Sequence, residues 1–138
     1  MPHTLHAMQR QVVEWSIEST RIYEQPFREI ELDAIIIDES GESMRIPAYW
    51  AGGTEWRFRF SPPHAGVFQV ATECSDGTNE SLHGVKSEIH VSAASETLNS
   101  DHPGAPVLRD GKLEYEDGTP FFWLGDTWWM ALSEHGTR

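Results

Sequence analysis

Glu55-Trp56-Arg57-Phe58-Arg59-Phe60 alternates charged and apolar residues without a fault. Successive side chains of an extended chain point to opposite faces, so Trp56, Phe58 and Phe60 share one face and Glu55, Arg57 and Arg59 the other. This is the pattern of a strand with one buried and one wetted side. The same period runs outward in both directions. Upstream, Val13, Trp15 and Ile17 alternate with Glu14, Ser16 and Glu18. Between Arg28 and Asp38, Ile30, Leu32, Ala34 and Ile36 fall on one face. Ile35 and Ile37 add apolar weight to the other, which predicts cover on both sides near the end of that strand. Met44, Ile46, Ala48 and Trp50 alternate next, and Pro47 points to an edge or a bulge. Downstream, Phe68, Val70, Thr72 and Cys74 continue the pattern, and Val85, Ser87, Ile89 and Val91 close it. Gln25-Pro26, Asp38-Glu39-Ser40-Gly41, Gly52-Gly53 and the loop from Ser61 to Gly66 punctuate the runs. About six or seven short strands at roughly ten-residue spacing, with no helical pattern between them, predict an antiparallel β-sandwich. It spans residues 8–95.

The charge balance narrows what such a domain can do. The 138 residues carry 10 Lys and Arg against 22 Asp and Glu, a net charge of −12. Residues 1–100 hold 15 acids and 7 bases, and residues 101–138 hold 7 and 3, so the acid is spread rather than gathered in a tail. A surface of this sign repels phosphate backbones and anionic lipid, which argues against nucleic-acid and membrane partners. No run approaches a membrane span of about 18 apolar residues. The N-terminal stretch lacks a basic segment followed by an apolar one, so the expected compartment is the cytoplasm, with export still open. One cysteine, Cys74, leaves no internal disulfide and no multi-cysteine metal site. The seven histidines show no metal-ligand spacing, and no phosphate loop, nucleophile elbow or dinucleotide fingerprint occurs. No cofactor is expected.

Residues 96–106 change character. Ser, Asn, Asp, Gly and two prolines replace the alternation, as in a linker. Beyond it, Asp110-Gly111 marks a hairpin and Asp117-Gly118 a second turn. Then comes FFWLGDTWWMAL, residues 121–132, of which nine are apolar. Phe121-Phe122-Trp123-Leu124 is continuous, the pattern of a strand buried on both faces, as in parallel sheets and barrels. The sequence supplies no layers to cover such a strand. The expectation is therefore the first strand of a second, α/β domain, with residues 107–138 its incomplete start. A whole (β/α)₈ barrel takes roughly 200 residues or more. The competing reading is that these aromatics complete the sandwich core or form a self-association surface.

Two stretches resemble the apiosidase-like glycoside hydrolases, a group that includes domains of unknown function. The segments Ala48-Tyr49-Trp50, Glu55 to Phe60, Ser61-Pro62 and Gly66 look like the small immunoglobulin-like domain that precedes the catalytic domain in that family. Tyr115-Glu116-Asp117-Gly118-Thr119-Pro120-Phe121-Phe122-Trp123-Leu124-Gly125-Asp126-Thr127-Trp128 resembles the opening of its catalytic barrel, and is the more specific motif. The resemblance implies a glycosidase working with two carboxylates about 5–9 Å apart. In such barrels the pair usually sits on later strands, so no catalytic pair is assigned here and no hydrolysis is expected from this chain alone.

Asp126 is the leading candidate for substrate contact. It would lie at the C-terminal end of a first barrel strand, the face where barrel active sites are built. The alternative is an acid that caps the following helix or pairs with an arginine. Trp128 and Trp129 could stack on sugar rings, although packing is the simpler role for at least one of them. Trp56 belongs to the core, and Trp50 could sit on an interdomain surface. Arg57 and Arg59 form a solvated or salt-bridged strand face, and Cys74 a buried thiol. His3 and His6 fall in a frayed end.

The expectation is thus an all-β, immunoglobulin-like sandwich followed by the beginning of a (β/α)₈ barrel. The sandwich would be an accessory domain of a glycoside hydrolase. Its partners would be its own catalytic barrel and, through the longer protein, carbohydrate. A free-standing carbohydrate-binding module and a self-assembling structural domain are the other two classes.

Overall fold

The computed structural model describes residues 3–93 and 105–125. These fall in two compact units, divided after His102. The first unit is a β-sandwich of eight strands and one helical turn. They run in the order β1 (His3–Met8), β2 (Val13–Glu18), α1 (Pro26–Glu29), β3 (Leu32–Ile37), β4 (Ser43–Pro47), β5 (Tyr49–Gly52), β6 (Glu55–Phe60), β7 (Gly66–Cys74) and β8 (Lys86–Ser92). One sheet has five strands in the order β1-β8-β7-β3-β4, the other three in the order β2-β6-β5.

The opening hexapeptide is β6, the centre of the smaller sheet. It pairs antiparallel with β2, Phe58 opposite Trp15, and with β5, Trp56 opposite Trp50. Trp56, Phe58 and Phe60 are buried, as the alternation predicts. They meet Leu32, Ala34 and Ile36 of β3, Phe68 and Val70 of β7, and Ile89 and Val91 of β8 from the larger sheet. Trp15 and Phe58 stack at 5.1 Å between ring centroids, and Phe60 meets Phe68 edge-on at 5.4 Å. Such aromatic pairs add about 0.5–1.5 kcal/mol to what their burial already contributes. Two inward polar residues are satisfied. Thr72 Oγ1 donates to the Leu82 carbonyl at 2.6 Å and accepts from the Val85 amide at 3.0 Å. Asn79 Nδ2 donates to Ser19 Oγ and to the Tyr23 hydroxyl.

Four particulars differ from the sequence reading. His3 and His6 lie in β1, which pairs parallel with β8, so that end is a strand rather than frayed. The sandwich is therefore antiparallel except at this edge. The run from Met44 to Trp50 is two strands. β4 ends at Pro47 on the edge of the larger sheet, and β5 begins at Tyr49 in the smaller one. Pro47 has no amide hydrogen to continue a ladder, and the chain changes sheets at Ala48, whose N–H still donates to the Leu32 carbonyl. Ile35 is only partly buried and Ile37 is exposed, so the far end of β3 has one covered face, not two.

The second unit contains a hairpin, β9 (Pro106–Arg109) and β10 (Lys112–Tyr115). Asp110 and Gly111 both take positive φ, 49° and 76°, the turn that the Asp-Gly pair predicts. Residues 121–125 form no strand, and the one bridge to the hairpin is made by Pro120, opposite Glu114. Phe122, Trp123 and Leu124 are 80%, 76% and 84% exposed. The expected doubly buried strand is absent from these described residues for a physical reason. A strand buried on both faces needs a continuous ladder and covering layers, and among the described residues this segment has the Phe121 amide bonded to the Leu113 carbonyl, next to the Pro120 bridge.

Candidate functional site

The sheet change at Ala48 leaves a cleft where the two sheets part. Ile30, Glu31, Leu32 and Asp33 form one wall, and Pro47, Ala48, Tyr49 and Trp50 the other, with Trp56 also lining it and Phe27 on the rim. Its volume is about 400 Å³, within the range of small-molecule sites. Phe27 is presented by α1, a single turn that Pro26 starts by fixing φ where no amide hydrogen is needed. Pro26 is buried, while Phe27 next to it points outward and is 59% exposed.

Trp50 is held from the other side. Gly52 and Gly53 take φ of 116° and 54°, values that glycine adopts without strain, and the chain reverses tightly into β6. That reversal brings the Gly53 carbonyl within 3.1 Å of the Trp50 indole N–H, which donates to it. The polar edge of the indole is thus satisfied, and Trp50 as a whole is left 37% exposed. The Phe27 and Trp50 rings lie within 29° of parallel with centroids 6.0 Å apart. Face-to-face rings stand closer, so these two are offset and each keeps part of a face uncovered.

The cleft's two carboxylates differ. Asp33 pairs with Arg45 at 2.6 Å, and Arg45 also binds Glu73. Glu31 uses its backbone N–H and carbonyl on Ser75, and among the described residues its carboxylate makes no hydrogen bond or ion pair. The Tyr49 hydroxyl is already engaged, donating to Glu14 at 3.0 Å. Glu14 lies between Arg57 and Arg59, and hydrogen bonds from Arg59 and Tyr49 hold its carboxyl below the usual range. This is the salt-bridged strand face expected of Arg57 and Arg59. Arg57 also binds Glu55 at 2.8 Å.

Asp126, Trp128 and Trp129, the sequence candidates for substrate contact, lie outside the described residues. Of the other residues weighed, Trp56 is in the core and Trp50 on the surface. Cys74 is buried, and that burial pushes its thiol above its ordinary value, which makes it a poor nucleophile. Among the described residues no three His, Cys, Asp or Glu side chains stand together as a metal site, and no helix is long and apolar enough to cross a membrane. Sequence reasoning missed Phe27 and Glu31. Phe27 follows a Gln-Pro break and sits on a helix too short to show a period. An aromatic beside a turn proline, outside every alternating run, was the available signal.

A family model described as a domain of unknown function (DUF5060) matches residues 7–75, 69 of the 138. No curated protein matches the chain. Among solved structures, the chain is similar to "a putative glycoside hydrolase from Bacteroides vulgatus ATCC 8482", with a TM-score of 0.71 and 24% identity. The likeness covers 86% of this chain and 21% of that one, so the chain spans about a fifth of that protein's length. At this identity the likeness is one of fold.

Proposed function

The chain belongs to the DUF5060 family, and from that premise we propose that it is the accessory β-sandwich of a glycoside hydrolase, packing on a catalytic barrel. The observation that carries this reading is the coverage. Most of this chain, 86%, superposes on a fifth of a much longer protein that is itself described as "a putative glycoside hydrolase". The strand order supports an immunoglobulin-like sandwich: β8, β7, β3 and β4 form one sheet, β2, β6 and β5 the other, and β1 joins β8 in parallel. The exposed run Phe122-Trp123-Leu124 supports the start of a barrel strand that gains its cover from further chain. In that arrangement Asp126 would stand at the mouth of the barrel, where its carboxylate accepts hydrogen bonds from sugar hydroxyls. Trp128 and Trp129 would flank it. The parent enzyme would be apiosidase-like and act on plant-type or other complex polysaccharide.

The test is the coding sequence beyond Arg138. The proposal expects a few hundred further codons with alternating strand and helix patterns and a pair of acidic residues at strand ends. A stop codon directly after Arg138 would overturn it.

A further inference from the structure

We infer that the cleft lined by Phe27 and Trp50 is a binding site for neutral carbohydrate, with the stacked Phe27–Trp50 pair as its aromatic surface and Glu31 as a hydroxyl acceptor. This rests on the accessory-domain reading for its setting, but its argument is the cleft's own chemistry. The described part of the sandwich buries its aromatics well. Trp15, Trp56, Phe58, Phe60 and Phe68 are all in the core. Phe27 and Trp50 are exceptions, and they are exposed as a stacked pair.

A pyranose ring presents a flat face of C–H groups and a rim of hydroxyls. The C–H face matches an aromatic surface, and the hydroxyls need acceptors at its edge. The cleft offers both. Trp50, stacked on Phe27 and still partly exposed, gives the flat surface, and Glu31, whose carboxylate makes no hydrogen bond or ion pair among the described residues, also lines the cleft. The indole is fixed by its hydrogen bond to Gly53. It therefore loses little freedom on binding, a saving that appears as affinity.

A cationic ligand is the nearest competitor, since aromatic rings and acids also attract ammonium groups. The geometry does not favour it. A cation is held by ring faces that converge on it, and these two rings are within 29° of parallel. Asp33 is already neutralised by Arg45, and the Arg28 guanidinium already sits over the Phe27 ring, 5.5 Å from its centroid, where a second cation would have to bind. Anionic sugars are disfavoured by the −12 net charge.

The experiment is affinity electrophoresis of the 138-residue chain through gels containing xylan, xyloglucan, galactomannan or mixed-linkage β-glucan. Polygalacturonate is the anionic control, and calorimetry with soluble oligosaccharides of the retarding polymer follows. At least one neutral glycan is expected to retard the chain. Trp50→Ala and Phe27→Ala should each weaken binding by about tenfold or more, as anchors at the centre of a site do. Phe27→Tyr should retain binding, and Glu31→Gln should weaken it by about threefold. Phe27 is 59% exposed, so its variant should melt like the parent; Trp50 is 37% exposed, so its variant is scored for binding with its melting measured alongside, and Trp123→Ala in the second unit should bind normally. Absence of retardation by any of the four glycans would overturn the site. So would binding lost with Trp123→Ala and kept with Trp50→Ala, or binding of choline in preference to sugar. Binding at the cleft together with a stop codon after Arg138 would uphold the site and sink the accessory-domain reading. No binding, with the barrel encoded downstream, would do the reverse.

Discussion

The two units of the chain both carry aromatic residues, nine in residues 1–102 and six in residues 103–138, and the described ones are used in contrasting ways. In the sandwich, Phe58 and Phe68 are fully buried between two sheets. In the second unit, Phe122, Trp123 and Leu124 stand in solvent. Both stretches contain apolar side chains that burial would stabilise at about 1.5–3 kcal/mol each. The difference is supporting geometry. β6 has a strand on each side and a five-stranded sheet facing it, whereas residues 121–125 form no ladder, the bridge to the hairpin being made by Pro120 before them. Hydrophobic content identifies what is worth burying; the number of paired edges decides whether it is buried.

The comparison breaks or holds first on Phe58. Phe58→Ala should cost about 3–5 kcal/mol, a fall in melting temperature of at least about 12 °C. A loss below about 1 kcal/mol in denaturant titration would mean that the sandwich core is not where the structure puts it.

Asn79 sharpens it next. Its side chain is buried and ties the loop after β2 to the loop after β7 through Ser19 and Tyr23. Asn79→Ala should destabilise by about 1–3 kcal/mol, since it strands buried polar partners. Equal stability of the variant, read from the same titration, would show that the Asn79 bridge contributes nothing to holding the two loops together.

A pH dependence follows from the same loops. Asp76 accepts from Thr78 and Tyr23 and pairs with Arg21, and these partners hold its carboxyl at about 2. A carboxyl lowered on folding stabilises the protein above its unfolded value, near 3.8, and that contribution is lost as pH falls toward 2. Melting temperature should therefore drop between about pH 4 and 2, and Asp76→Asn should flatten the drop. An unchanged acid profile in the variant would place the acid sensitivity elsewhere. On the alkaline side, His64 is raised from its ordinary value by hydrogen bonds to the Ala65 carbonyl and, through Nε2, to Asp38. Its contribution is present below about pH 6.5 and is lost as pH rises through the raised value. The imidazole is half exposed, so the effect should be small. His64→Gln should abolish it, and persistence of the same slope would assign it to another group.

The smallest effect is expected from Trp123. In this chain Trp123→Ala should change stability by no more than about 0.5 kcal/mol, as exposed residues do. A loss above about 2 kcal/mol would mean that the second unit buries its apolar run after all.

Much of the sandwich was legible because period two is a local signal. β2, β3, β6, β7 and β8 fall where alternating residues are written, and the Asp110-Gly111 hairpin where its turn chemistry is. What was not legible depends on distant partners. His3–Met8 is a strand because β8 offers it an edge, and nothing in its own six residues demands that. The alternation from Met44 to Trp50 passes unbroken through Ala48, although the chain changes sheets there. The cleft is made by segments that share no pattern: a one-turn helix, a sheet crossing and a glycine reversal. Trp50 was visible as a residue without a settled place. Phe27, its neighbour in space 23 positions away (50 − 27), was not.

The most direct test is affinity electrophoresis of residues 1–102 beside the 138-residue chain on the same neutral glycan. Equal retardation of the two, abolished in both by Trp50→Ala, is the predicted result: the sandwich folds alone and carries the binding surface. Retardation of the longer chain only would contradict it, since binding would then belong to residues 103–138.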